Sequence, residues 1–404
     1  MTQRQKEIAA INNTFKNRGV GARYKIRFVA PSFYLYGLEV SPNESIARVE
    51  KEVPQLSLAL TLARGRQCAV RLQHPPVMLE VPRMDPQAIP WPGMLDNRAH
   101  EMSIGRGFEW GRASPQVIAL DDSPHTIIAG MTGSGKSVLE VGAVLSLAMK
   151  TPPDELELML IDLKNDDLVP LRNLPHVIQF ATNPDDAMQA VEYVSAESAR
   201  RRDSQRRDNR RIVIVIDELA QLPPDGLELL NGVLSLGRSQ RLNIISATQH
   251  PTAEIMGGSV GKINYTTRLV GRVSDATAAA TASGRGKTGA EFLPGKGSFL
   301  RIEGPDLVRF QAFNLTHDDV DRIVGEVVAK WGGRPAQPVP VPNMGIDADP
   351  LADVFTEYHD GHGNLARGGI SAALRAKYGN DAATTGRRYQ DQRDAILVDF
   401  QQWL

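Results

Sequence analysis

Cysteine is all but absent: Cys68 is the single one in 404 residues. One thiol excludes an intrachain disulfide framework and suits a reducing compartment. A small hydrophobe buried in a strand is the expectation for it. Long apolar runs are missing as well. No stretch approaches the ~20 residues that a membrane span requires, and Met1-Thr2-Gln3-Arg4-Gln5-Lys6 lacks the apolar core of a signal peptide. The expectation is a cytoplasmic protein with no membrane segment of its own. An excess of charge of either sign is also lacking, since 46 Lys and Arg stand against 47 Asp and Glu. Bulk electrostatics therefore announce no polyanionic partner, and any surface for nucleic acid must be local.

What is present has the composition of a soluble globular protein, long enough for two or three domains. Residues 1–95 read as a small α+β domain. A polar helix comes first, then strands at Tyr24–Pro31 and Phe33–Val40 and a helix from Ser45 to Leu62. Two short strands end it, near Ala69–Leu72 and Val77–Pro82. Pro86, Pro90 and Pro92 mark its exit. From about residue 100 strands alternate with helices, the pattern of a parallel sheet, and this second domain spans 96–331. Residues 265–313 suggest several shorter strands with Gly-rich turns. The Pro/Gly-rich stretch 332–350 reads as a linker, and 351–404 as a small helical module.

The chain is organised around Gly130-Met131-Thr132-Gly133-Ser134-Gly135-Lys136-Ser137, which fits G-x-x-x-x-G-K-[ST] between an apolar strand and an apolar helix. Glycines let backbone N–H groups converge on phosphate oxygens. Lys136 reaches the β- and γ-phosphates, Ser137 can ligate Mg²⁺, and the helix N-terminus favours the anion. Downstream, Ile212-Val213-Ile214-Val215-Ile216 ends in Asp217-Glu218, an apolar strand closing on two carboxylates. There Asp217 would hold the Mg²⁺ and its water shell, and Glu218 would orient the attacking water. Gln249, ending the next strand, is placed to contact the γ-phosphate or that water; a satisfied strand-end amide is the alternative. Arg238 lies between those two strands, where an arginine can reach a neighbouring subunit's site, or can simply face solvent.

Together these residues resemble the FtsK/SpoIIIE motor within the FtsK–HerA group of ring-forming P-loop ATPases. Five stretches carry the likeness in the family's order: the phosphate loop after Pro124-His125, Ile161-Asp162-Leu163-Lys164, Leu174-Pro175-His176-Val177, Val215–Ala220, and Ala247-Thr248-Gln249-His250-Pro251. Leu293-Pro294-Gly295-Lys296-Gly297 is similar to that motor's late glycine turn. The likeness covers about residues 20–330. It implies an α/β fold with a RecA-like P-loop core, ATP and Mg²⁺ as cofactors, and a homo-hexamer that pulls double-stranded DNA through its centre. It supports Lys136, Ser137, Asp217, Glu218, Gln249 and Arg238 in the roles given. Lys164 matches a family lysine although Leu163 replaces the usual proline. Lys262 falls at a family position facing the channel, although the proline before Thr267-Arg268 is missing, and His250 replaces the usual arginine.

For DNA contact the densest basic run is Arg200 to Arg211, with Arg206, Arg207 and Arg210 joining Lys262 as the residues expected to follow phosphates. A solvated helix end is the plainer reading of such a run. The tail carries Arg367, Arg375, Lys377, Arg387, Arg388 and Arg393. For it a DNA-binding helix-turn-helix and a protein-docking module both stay open. The reading is an ATP-dependent DNA translocase, of a plasmid, phage or integrative element. A protein-secretion ATPase of the same superfamily and a nucleotide-gated DNA-binding scaffold are its rivals.

Overall fold

In this computed structural model the described residues are 1–332, apart from 66–67, 69, 74–76, 93, 110–111 and 204–209, together with Ala373, Lys377 and Ile396. The chain divides into two compact units, Met1–Val339 and Pro340–Leu404. In the second unit Ala373 and Ile396 are buried and Lys377 is exposed, all three in helical conformation. The expected linker from residue 333 onward and the rest of the expected tail helices lie outside the described residues.

The first unit begins with α1 (Gln3–Asn17), started by a capping box in which Thr2 and Gln5 satisfy each other's backbone N–H. A four-stranded antiparallel sheet follows, built from β1 (Ala22–Val29), β2 (Phe33–Val40), β3 (Arg71–Gln73) and β4 (Met78–Pro82) in the order β1-β2-β4-β3. The helix expected over 45–62 is two helices, α2 (Ile46–Lys51) and α3 (Val53–Arg64). Pro54 explains the break. It has no N–H to continue a helical ladder but is tolerated in a first turn. Ile11, Phe15, Tyr36, Leu56, Leu60 and Leu79 form the core of this sheet and its helices, with Cys68 buried among them as expected, though between α3 and β3 and not in a strand.

After β5 (Ile89–Pro90) the chain enters a hairpin, β6 (Glu101–Glu109) and β7 (Arg112–Ala119). Then come β8 (His125–Ala129), α4 (Lys136–Lys150), β9 (Leu156–Ile161), β10 (Val177–Ala181), α5 (Pro184–Asp203), β11 (Arg211–Ile216), α6 (Pro224–Gln240) and β12 (Leu242–Thr248). The order continues with α7 (Gly258–Asn264), β13 (Thr267–Val270), α8 (Ala276–Ser283), β14 (Ser298–Glu303), β15 (Asp306–Asn314) and α9 (His317–Trp331). One 11-stranded sheet results, ordered β10-β9-β11-β12-β8-β13-β14-β15-β6-β7, with β5 beside β15. The six strands from β10 to β13 are parallel, and the rest of the path is antiparallel.

Strands β8, β9, β11 and β12 are buried at every residue because helices cover both faces. Along β11 the two-residue period divides the chain cleanly. Val213 and Val215 meet the layer of α4 and α9, while Ile212, Ile214 and Ile216 meet that of α5 and α6. Two local expectations need correction. Residues 101–119 are an antiparallel hairpin at the far edge, not part of the parallel alternation. Helix α8 lies within the region 265–313 read as strands and turns, and α7 ends just before it. Neither shows an apolar stripe: α7 has two glycines in seven residues, and α8 is an Ala/Thr/Ser segment fixed by its ends. Asp275 accepts the N–H groups of Thr277 and Ala278, and Gly284 closes α8 with φ +67°.

The small sheet is tied to the large one by a buried ion pair. Arg309 on β15 donates to Glu80 on β4 at 2.9 Å, with the side chains 5% and 0% exposed, and the guanidinium lies 4.2 Å over the Phe33 ring. Truncating Glu80 leaves the buried Arg309 guanidinium without its carboxylate. Glu80→Ala should therefore cost about 3–5 kcal/mol in urea denaturation, whereas a Glu80→Leu/Arg309→Met pair should recover most of that loss.

Candidate nucleotide site

The phosphate loop leaves the carboxyl end of β8 and turns into α4. Gly133 and Gly135 take φ of +78° and +96°, and Gly135 is the N-cap of α4. A side chain at Gly135 would meet Gly297 N at 2.7 Å, so glycine is required there for conformation and for space. The late glycine turn is what it would strike. Lys296 N donates to Gly133 O at 3.1 Å and Gly297 N to Ser134 O at 2.7 Å, which clasps the loop from below. On its other side Gly130 N donates to Thr248 O and Met131 N to Arg272 O. By helix geometry the first N–H groups of α4 keep no intrahelical acceptor and are available to an anion.

Lys136 is 5% exposed and its Nζ donates to Asp217 Oδ1 at 2.8 Å and to Asp217 O at 2.9 Å. Burial alone would lower its pKa, but the nearby Glu140, Asp217 and Glu218 more than reverse that, so the ammonium is held charged. One turn along the helix, Glu140 is completely buried, with its carboxyl against that of Asp217. Burial raises its pKa well above the usual carboxylate range, against the attraction of Lys136 and with the push of Asp217 and Asp167. Ser137 Oγ donates to Asp167 Oδ2 at 2.5 Å. Burial raises the Asp167 carboxyl's pKa, opposed by the hydrogen bond from Ser137.

Because β12 is inserted between β8 and β11, its end sits between the phosphate loop and the carboxylate strand. Thr248 Oγ1 donates to Glu218 Oε1 at 2.8 Å, and Gln249 N lies 3.1 Å from Oε2. The Gln249 side chain accepts from Thr132 Oγ1 at 2.9 Å, joining strand end to loop. Lys164 Nζ stands 3.9 Å from Glu218 Oε2. Thus Thr132, Lys136, Ser137, Lys164, Asp217, Glu218 and Gln249 converge at one sheet end. Arg238 lies in the last turns of α6, and its side chain falls outside the described residues.

The basic run is resolved into distinct roles. Arg201 is buried and donates to the carbonyls of Gln240 and Arg210 and to Glu197. Arg211 is buried against Asn243 and Asp121. Arg210 is half-exposed and ion-paired with Glu157 at 2.6 Å. Arg201 and Arg211 are therefore structural and form no part of a phosphate track. Arg206 and Arg207 lie outside the described residues. Lys262 is exposed near the end of α7, beside Ile263, which is 75% exposed. Buried Arg268 holds that end, donating to Gly261 O and Lys262 O at 2.9 and 3.1 Å and to Ala282 O of α8 at 3.2 Å.

Sequence reasoning missed Glu140, Asp167 and Thr248. Glu140 did carry a signal, as the lone charge between Lys136 and Lys150 in an apolar helix, four residues after Lys136. Among the described residues no group of His, Cys, Asp and Glu forms a ready cation cluster, and no helix is long and apolar enough to cross a membrane.

Residues 87–256 match the FtsK/SpoIIIE family. The chain is 30% identical over 361 residues to the DNA translocase FtsK of Staphylococcus aureus, covering 80% of this chain and 45% of that protein. It is 28% identical over 358 residues to the DNA translocase FtsK of Lactococcus lactis, covering 79% and 47%. The chain spans just under half the length of these curated relatives. Among solved structures it is similar to the pCW3 conjugation coupling protein TcpA, in its monomer form with ATPγS. The TM-score is 0.54 at 21% identity, over 80% of this chain and 99% of that one. It is also similar to EssC ATPases 2 and 3 from Geobacillus thermodenitrificans, with TM-score 0.54 at 19% identity, over 65% and 54%. At such identities the structural likeness establishes the fold alone, an α/β fold with a RecA-like core.

The clasp under the loop sets an expectation. Gly135→Ala adds a Cβ where φ is +96° and Gly297 is in contact, so strain of about 1–3 kcal/mol falls on the loop. Nucleotide affinity measured by isothermal titration should drop at least about ten-fold, with far-UV circular dichroism unchanged.

Proposed function

The chain carries an FtsK/SpoIIIE-family domain at residues 87–256, and from that premise we propose that it is an ATP-hydrolysing motor subunit which moves double-stranded DNA through a homo-hexameric ring. One observation carries the reading. Lys136, Ser137, Asp217 and Glu218 meet at the carboxyl ends of β8 and β11 with Thr248 and Gln249 between them. A hydroxyl and carboxylates are the hard oxygen donors that suit Mg²⁺, so Ser137 and Asp217 fit the ion that accompanies ATP. When bound, that ion would neutralise charge on the β- and γ-phosphate oxygens.

The chain's own groups do the rest. Lys136 exchanges Asp217 for phosphate oxygens, a swap of one anionic partner for another that keeps its buried charge matched. Glu218, held by the Thr248 hydroxyl and the Gln249 N–H, has a fixed carboxylate from which to accept a proton of the attacking water. Gln249, tied to Thr132, is placed to register what occupies the loop. Arg238 would complete the site of the adjacent subunit. For duplex contact we assign Lys262 with Arg206 and Arg207; Arg210 contributes less, since Glu157 already offsets its charge.

Glu218→Gln should lower ATP turnover by about 10²- to 10⁴-fold while the protein still binds nucleotide, as read by steady-state hydrolysis beside equilibrium binding. Duplex DNA should accelerate hydrolysis by the unaltered protein, and ATP should drive displacement of a triplex-forming strand. Replacing Arg206, Arg207 and Lys262 by Ala should abolish the acceleration. Hydrolysis indifferent to duplex would favour a secretion ATPase. Duplex binding without strand displacement would favour a scaffold.

A further inference from the structure

The segment after β9 presents a carboxylate to the phosphate loop that no motif marks. Asp162, completely buried at the end of β9, accepts the N–H groups of Asp166 and Leu168 on Oδ2, each at 2.9 Å. That fixes the backbone around Asp167 and brings its Oδ2 within 2.5 Å of Ser137 Oγ. A serine hydroxyl has one proton. Given to Asp167, it leaves the oxygen lone pairs directed elsewhere. The charges around it are also unbalanced. Asp217 is paired with Lys136, whereas Asp167 forms no ion pair among the described residues. The excess negative charge faces the hydroxyl that would ligate a divalent cation.

We infer that Asp167 is a positioning residue for the Mg²⁺ of the bound nucleotide. It accepts the hydrogen bond of the Ser137 hydroxyl, so that a Ser137 lone pair is presented to the ion, and it adds a second carboxylate to the field of Asp217. Groups that orient a metal ligand in this way commonly set ten-fold or more of its affinity. The inference rests on the nucleotide-site reading above, and its test separates the two.

Binding of a fluorescent ADP analogue is measured for the unaltered full chain, Asp167→Asn and Asp167→Ala, in EDTA and across a Mg²⁺ titration. In EDTA the three should agree within about two-fold, while the Mg²⁺ concentration for half-maximal tightening should rise about ten-fold or more in Asp167→Ala. Asp167→Asn should fall between them, because an amide oxygen accepts the hydroxyl proton but carries no charge. In a Ser137→Ala background the part of the Asp167→Ala effect that exceeds Asp167→Asn should disappear; if Asp167→Ala does not fold, a raised Mg²⁺ requirement in Asp167→Asn with unchanged binding in EDTA keeps the test decisive. Identical Mg²⁺ dependence in all variants would overturn the inference. So would equal weakening with and without Mg²⁺, which marks a part in loop structure only. Failure of the unaltered chain to bind the analogue would overturn the nucleotide site itself, and this inference with it.

Discussion

A single buried ammonium governs the arrangement. Lys136 is almost fully removed from solvent, and a charge so placed persists only with a matched partner in hydrogen-bonding reach. Asp217 supplies it from the end of β11, while burial pushes the pKa of the neighbouring Glu140 carboxyl well above the usual carboxylate range. To bring Asp217 there, β11 must lie two strands from β8, with β12 between them. The same spacing delivers Thr248 and Gln249 to Glu218. The loop geometry follows from the need to turn Lys136 inward, and the glycines of that loop and of residues 295–297 let two backbones approach closely enough to do it.

How much of this could be read beforehand divides along a physical line. The phosphate loop and the strand ending in Asp217-Glu218 were legible because each is a contiguous run whose chemistry is carried by backbone shape and by neighbours in sequence. The parallel strands β8, β9, β11 and β12 were equally plain, since burial on both faces leaves an unbroken apolar run. Asp167 was invisible because its partner Ser137 is 30 residues away and the loop that joins them has no periodic pattern. The inward turn of Arg201 and Arg211 was hidden for a related reason. Counting charges does not reveal that Arg201 and Arg211 turn inward to carbonyls and an amide supplied by later strands and helix ends. The hairpin at 101–119 was read as part of the alternating region because strand direction depends on which neighbour is met, and that neighbour, β15, comes more than two hundred residues later.

The two sheets of the first unit depend on each other through the same kind of contact that organises the site. Arg309 and Glu80 are charges that neither sheet could hold alone away from water. Their burial, with Phe33 packed on Phe108, sets the small α+β part against β15 and β6 rather than leaving it a bead on a string. It also fixes where the exit segment, Ile89–Pro90, rejoins β15.

The grip of Arg268 on the ends of α7 and α8 has a thermodynamic sequel. A guanidinium remains cationic throughout the ordinary pH range, so this fastening does not loosen with acidity as a histidine tie would. The stretch bearing Lys262 and Ile263 has given up its backbone entropy in the act of folding. Whatever macromolecule meets that knuckle then has only the rotamers of two side chains left to freeze.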